Sequence, residues 1–287
     1  MSVRPRKQFA QHWLKSEKAL NEIVKAAEIS KNDRILEIGP GTGNLTRYLL
    51  PLAESVVAVE IDRDLCEKLA KSLGKTENFL LLQGDILTLD LETQLANFPQ
   101  FQNPNKVVAN IPYNITGPIL EKLLGKIAKP ATKPYDLIVL LVQKEVAERL
   151  YAKPSSKAFG ALSVRVQYLA DCELIYSVPA KDFYPAPKVD SAVVRLHPQI
   201  HYPAENPKFL DSLVKIGFAE KRKMLRNNLK SVVERDRLTQ ILEQLEINSQ
   251  ARAEDLSVRQ WVELSNKLMQ EGTRQNAEGR SEEGFYN

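Results

Sequence analysis

Between residues 34 and 151, short apolar runs alternate with amphipathic stretches, and few architectures accept that alternation. The runs are Arg34 to Ile38, Ser55 to Val59, Phe79 to Gln83, Lys106 to Ala109 and Tyr135 to Val142. Several of them, such as Leu137-Ile138-Val139-Leu140-Leu141, are apolar at every position rather than at every second one. A strand of that kind is buried on both faces, which a parallel sheet covered by helices on either side provides. The pattern therefore predicts an α/β fold with a doubly wound, Rossmann-like sheet.

The first run passes directly into Gly39-Pro40-Gly41-Thr42-Gly43, where the next helical pattern opens. Glycines belong there because the backbone must turn tightly and lie against a ligand with no Cβ in the way. The dinucleotide fingerprint needs Gly-x-Gly-x-x-Gly, but Asn44 stands at its third glycine and Gly43 comes one position early. Gly-x-Gly-x-Gly is the spacing of methyltransferases that use S-adenosylmethionine, and it disfavours a nicotinamide dehydrogenase. The second run ends at Glu60, placed to accept hydrogen bonds from both hydroxyls of a cofactor ribose. The third is followed by Asp85, whose carboxylate can accept from an adenine amine. Ligands of doubly wound sheets lie past the carboxyl ends of the strands. Gly39, Glu60, Asp85 and Asn110 stand at four consecutive ends, which packing alone does not explain.

The fourth run delivers Asn110-Ile111-Pro112-Tyr113. Pro112 ends the ladder and keeps Ile111 out of the helical region, so the chain turns. The turn presents an amide, a backbone carbonyl and an aromatic ring together. Asn110 Oδ1 and the Ile111 carbonyl can accept the two protons of an exocyclic amine, and Tyr113 offers a face for stacking. Further on, Phe183-Tyr184-Pro185-Ala186-Pro187 reads as a proline-stiffened loop before a last strand. Phe183 is expected to hold the second face of a flat base opposite Tyr113.

Beyond Pro198 the pattern changes. We expect a domain over residues 1–198, with 1–14 as a basic and aromatic arm, and a linker over 199–207. A helical domain over 208–270 and a disordered tail over 271–287 complete the division. Helices are expected over Phe209 to Ala219, Lys223 to Glu234, Leu238 to Leu245 and Ser257 to Met269. The net charge is only +4, so the distribution of cations matters more than their sum. Arg4, Arg6 and Lys7 in the arm, and Lys221, Arg222, Lys223 and Arg226 in the helical part, are the expected contacts to RNA phosphates. The two cysteines, Cys66 and Cys172, lie far apart, and the three histidines form no ligand motif, so neither a disulfide framework nor a metal site is expected. No apolar run approaches a membrane span and no secretory signal is seen, which predicts a cytoplasmic protein without membrane contact.

Four stretches together resemble one family. They are Gln8 to Leu14, Glu37 to Gly43, Asn110 to Asn114 and Phe183 to Ser191, and they are similar to those of the ribosomal RNA adenine dimethyltransferases. The basic stretch Phe218 to Leu229 resembles the bacterial small-subunit branch. The resemblance implies S-adenosylmethionine as cofactor and dimethylation at N6 of two adjacent adenosines in the 3′-terminal hairpin loop of 16S rRNA. It further implies an immature 30S subunit as partner, and a monomer is the simplest expectation for an enzyme that docks on so large a particle. Carried over by position, the cofactor contacts fall on His12, Leu14, Gly39, Glu60, Asp85 and Asn110, with Gly41 in the same glycine turn. The chain has Ala10-Gln11-His12-Trp13-Leu14 where the family has Gly-Gln-Asn-Phe-Leu, so a backbone contact at His12 would survive and an Asn side-chain contact would not. Two other readings stand beside this one: a 23S rRNA dimethyltransferase of the macrolide-resistance type, and a ribosome-assembly checkpoint factor in which catalysis is secondary.

Overall fold

Seven strands form one sheet: β1 (Arg34–Ile38), β2 (Ser55–Glu60), β3 (Phe79–Gln83), β4 (Lys106–Asn110), β5 (Leu137–Gln143), β6 (Ala170–Val178) and β7 (Ser191–Pro198). The computed structural model describes residues 5–6 and 11–283, the side chains of 272–283 excepted. The sheet order is β3-β2-β1-β4-β5-β7-β6. The first five strands pair in parallel, while β7 runs antiparallel to both β5 and β6. Every residue of β2 is buried, as are the first six of β5, which is what strands covered on both faces require.

A helix over Glu17–Ala26 packs on one face through Ala19, Leu20, Ile23 and Ala26, and Ser16 caps its start by accepting from the Ala19 N–H. Just past its end, Lys106 Nζ donates to the carbonyls of Ala27 and Glu28, and to Asp33 Oδ2 at 3.0 Å. Burial alone would raise the Asp33 carboxyl, but hydrogen bonds from Asn105, Ser30 and Lys106 hold it down at about 2. This network ties the helix to the amino-terminal edge of β4, leaving the carboxyl edge to the ligand.

The chain divides into two compact units. One runs to Gly125 and adds Ala131–Tyr151 and Ala170–Pro198; the other comprises Lys126–Pro130, Ala152–Leu169 and the residues from Gln199 on. The sequence pattern puts a contiguous boundary at residue 198, whereas Ala152–Leu169, with its helix Ala161–Leu169, clusters with the second unit. The second unit is helical, with Pro207–Gly217, Arg235–Gln244 and Val258–Glu283 as its further long elements. The helix expected from Lys223 to Glu234 is instead one α turn, Leu225–Asn228, followed by a 3₁₀ turn, Leu229–Ser231. Asn228 spends its side chain on the Gly217 and Glu220 carbonyls, a local bond of the sort that competes with helix continuation. The last helix continues to Glu283, through much of the polar stretch expected to lack structure, since each added residue extends an existing helix without a new nucleation step. Residues 284–287 of that stretch lie outside the described residues. Among the described residues no helix is long and apolar enough to cross a membrane.

Trp261, fully buried, is the centre of this second unit, and Gly217 gives it room. A Cβ at Gly217 would stand 2.4 Å from the end of the Trp261 ring. Gly217→Ala in a helix would ordinarily stabilise by about 1 kcal/mol. Here the clash reverses the sign, and we expect a loss of about 1–3 kcal/mol by overpacking, measured by urea unfolding. A more stable variant would contradict this packing.

Candidate active site

The strand order reverses between β1 and β4, and doubly wound sheets open a ligand crevice at such a point. A cavity of about 330 Å³ lies there. That is within the range of small-molecule sites, roughly 300–1,000 Å³. Gly39, Gly41, Glu60, Asp85, Asn110, Ile111, Pro112 and Tyr113 all line it, joined by Gln11, His12 and Trp13 from the amino-terminal segment. The elements that bring them together are the ends of β1, β2, β3 and β4, as the sequence pattern required.

Gly39 and Gly41 have φ of 66° and 59°, left-handed values that side chains resist. A Cβ at Gly41 would also meet the Trp13 indole at 3.1 Å. The Gly41 N–H donates to Glu60 Oε2 at 3.1 Å, and the Asp62 N–H donates to Oε1 at 2.9 Å. Burial raises the Glu60 carboxyl, and these backbone donors partly offset it. An ionised carboxylate has about four lone-pair sites, so two remain for hydroxyl donors in the cavity. Asp85 is fixed in the same way, by the Leu87 N–H on Oδ1 at 2.9 Å. The glycine turn and two oriented carboxylates fit a nucleoside with a vicinal diol and an exocyclic amine.

Asn110 Nδ2 donates to the His12 carbonyl at 3.1 Å, which engages the amide's donor end and turns Oδ1 into the remaining acceptor. The Tyr113 hydroxyl is hydrogen-bonded to Ser191 Oγ at the start of β7. Burial pushes that phenol up to about 12, with the Ser191 bond working against it, so Tyr113 stays neutral. Ser191, which fixes the Tyr113 hydroxyl, is given no role by the sequence pattern, although it closes the Phe183 to Ser191 motif. The His12 ring stacks on Tyr113, with centroids 5.7 Å apart and 19° between planes. His12 Nδ1 lies 2.7 Å from the Pro185 carbonyl, which can only accept, so Nδ1 is the donor.

Two expected site residues are not in the cavity. Phe183 is 2% exposed and belongs to the hydrophobic core, and Leu14 is 3% exposed beside it. The cause is a two-residue antiparallel ribbon that pairs Trp13 with Tyr184 and Leu14 with Phe183. Alternation along the ribbon sends Leu14 and Phe183 into the core. The Leu14 carbonyl is taken by Asn44 Nδ2 at 2.8 Å. Trp13, which the sequence pattern does not mark as a site residue, lines the cavity in their place.

The expected phosphate contacts divide similarly. Arg4 and Lys7 lie outside the described residues. Arg6 is held by two carboxylates, pairing with Asp62 at 3.3 Å and with Asp64, so its charge is already engaged. In the second unit Lys221 and Arg222 are exposed, Lys223 pairs with Glu220, and Arg226 is half-buried with no partner for Nε among the described residues.

Residues 3–270 match the family described as ribosomal RNA adenine dimethylase. The chain is 74% identical over 267 residues to the ribosomal RNA small subunit methyltransferase A of Nostoc sp., covering 93% of this chain and 98% of that protein. It is 59% identical over 280 residues to the protein of the same name from Synechocystis sp., again covering 93% and 98%. Among solved structures, a dimethyladenosine transferase from Plasmodium falciparum superposes with a TM-score of 0.75 at 27% identity, over 91% of this chain and 98% of that one. The 23S rRNA methyltransferase ErmE superposes with a TM-score of 0.69 at 26% identity, over 90% and 99%.

Proposed function

The chain belongs to the ribosomal RNA adenine dimethylase family, and from that premise we propose that it transfers methyl groups from S-adenosylmethionine to small-subunit ribosomal RNA. The finer reading is four transfers onto N6 of two adjacent adenosines in the 3′-terminal hairpin loop of 16S rRNA, on an immature 30S subunit. The enzyme acts as a monomer in the cytoplasm, on a particle far larger than itself. One observation carries this reading. Asn110 at the switch point has its donor end engaged by His12, so an acceptor is presented beside the Tyr113 face and across from the glycine turn.

The residues fit the cofactor. Gly39 and Gly41 would lie against its amino-acid end, Glu60 would accept from the ribose and Asp85 from the adenine amine. When bound, the cofactor supplies a methyl group made electrophilic by a sulfonium. What remains for the protein is to hold a weak nucleophile in line with it. An adenine amine is weak because its lone pair is delocalised into the ring. Asn110 Oδ1 and the Ile111 carbonyl accept its two protons, favour a pyramidal nitrogen, and stabilise the positive charge that develops on it. Tyr113 stacks on the base, which leaves a hairpin loop more readily than a duplex. The methylated amine is acidic enough to lose its proton to water, and no strong general base is required. After one methylation only one proton is left to donate, so the second transfer proceeds with a looser grip. Lys221, Arg222, Lys223 and Arg226 contact phosphates sequence-independently.

Purified protein incubated with unmethylated 30S particles and labelled S-adenosylmethionine tests the proposal, with the digested RNA read by mass spectrometry. Dimethyladenosine confined to the 16S 3′ hairpin is the expected result. In a parallel incubation with protein-free 23S rRNA, label in that RNA and none in 16S would move the substrate to the large subunit. Cofactor binding without any transfer would favour an assembly factor over an enzyme.

A further inference from the structure

The ribbon that removes Phe183 from the cavity turns its neighbour outward. Tyr184 is 57% exposed, more than any other large apolar side chain among the described residues. It does no core packing, because Phe183 and Leu14 already fill that side of the ribbon. Its position is nevertheless tightly set. The Lys15 N–H donates to the Asp182 carbonyl at 2.8 Å, and Asp190 Oδ1 accepts from the Ala180 N–H at 3.0 Å. Pro185 and Pro187 stiffen the chain on its carboxyl side. An aromatic ring held in place while more than half exposed is pre-organised for a flat partner.

Two contacts place that ring at the edge of the site. Trp13, which lines the cavity, lies 6.4 Å from the Tyr184 ring at a tilt of 38°. The carbonyl of Pro185, the next residue, holds His12, whose ring covers Tyr113. Tyr184 is therefore one contact away from the pocket for the target base, yet does not line it. Lys15 Nζ stands 5.9 Å from the Tyr184 centroid. A cation–π contact at an exposed site is weak, so the ammonium can leave the ring face for a phosphate when a base arrives.

We propose that Tyr184 is a stacking platform for the RNA base next to the one being methylated, with Lys15 contacting the backbone between them. This rests on the proposed methyl transfer to RNA and extends it to the second adenosine. Base–aromatic stacking is tolerant of base identity, because it uses only the π-face. A dimethylated adenine keeps that face but has no amine proton left for Asn110 or the Ile111 carbonyl. It is thus rejected by the pocket and still accepted by the platform. Two adjacent adenosines can then exchange places on one enzyme without release of the loop.

The test compares Tyr184→Ala and Tyr184→Phe with wild type on unmethylated 30S particles. KM and kcat for the particle are measured, with cofactor affinity by equilibrium dialysis and the two adenosines resolved by mass spectrometry. Tyr184→Ala should raise KM about ten-fold, as expected for loss of one stacked base. It should also accumulate particles with one adenosine dimethylated and its neighbour unmodified, at unchanged cofactor affinity. Tyr184→Phe, which keeps the ring, should behave as wild type. An active wild type with an indistinguishable Tyr184→Ala variant would overturn the platform alone. So would a Phe variant as impaired as the Ala one, or an Ala variant whose cofactor affinity falls with its KM. A wild type that methylates no particle would instead remove the functional reading, and the platform with it.

Discussion

Asn110→Ala should lower the rate of methyl transfer by about 10²–10³, the effect of deleting one preorganised polar group at a site of developing charge. Asn110 Nδ2 bonds the His12 carbonyl, so the amide cannot rotate to present its NH₂ to the substrate, and only Oδ1 is available. An acceptor fixed before the substrate arrives needs no reorganisation as positive charge grows on nitrogen, which is why its loss falls on kcat. Single-turnover transfer to 30S particles measures the step directly, with cofactor affinity measured alongside. A kcat loss with cofactor binding largely kept is expected. Equal losses in both would mean that Asn110 mainly anchors the His12 segment, and a near-wild-type rate would remove it from the chemistry. Asn110→Asp adds a second check: it keeps an oxygen acceptor but loses the donor to His12, so it should fall between the two.

The same residues show what a sequence of this kind makes legible. β2 and β4 are readable because a strand buried on both faces is largely apolar. β1 and β3 are readable because three of five and four of five residues are apolar, although only Phe79 of β3 is buried. The carboxyl ends of all four then have to carry the ligand groups. Gly39, Glu60, Asp85 and Asn110 meet in one cavity for that reason. β6 is not readable: only its first and last residues are buried, so it has neither an apolar run nor a clean alternation. Phe183 faces the core rather than the cavity for a different reason. Two adjacent aromatics point to opposite faces, and which one faces inward depends on pairing with Trp13–Leu14, a contact across some 170 residues that local pattern does not encode. Arg6 looks like a phosphate contact because its partners Asp62 and Asp64 are remote in sequence and look like a helix cap with an exposed neighbour. For Phe183 and Arg6 the pattern locates the segment, and long-range pairing decides what the side chain does.

Long-range packing also leaves one charge in an unfavourable place. Glu37 in β1 is 1% exposed, and its Oε2 has no hydrogen-bond partner among the described residues. Burial pushes its carboxyl up from 4.5 to about 8, and the Glu60 carboxylate adds to the shift. Proton binding sets the sign of the effect on stability. Below about 4.5 the group is protonated in both the folded and unfolded chain, and it exerts no pH-dependent penalty. As pH rises from there, the unfolded chain releases the proton first, so unfolding is increasingly favoured until the folded group also ionises near 8. At about 1.4 kcal/mol for each pH unit of that window, the protein should lose on the order of 3–5 kcal/mol from this one residue. Glu37→Gln cannot ionise and should be spared the loss. Urea unfolding at pH 5 and pH 8.5 is expected to give nearly equal stabilities for the two proteins at the lower pH and a clear advantage to the variant at the higher. Parallel pH profiles would mean that Glu37 is satisfied when folded, by water or by the cofactor's charge, and carries no such burden.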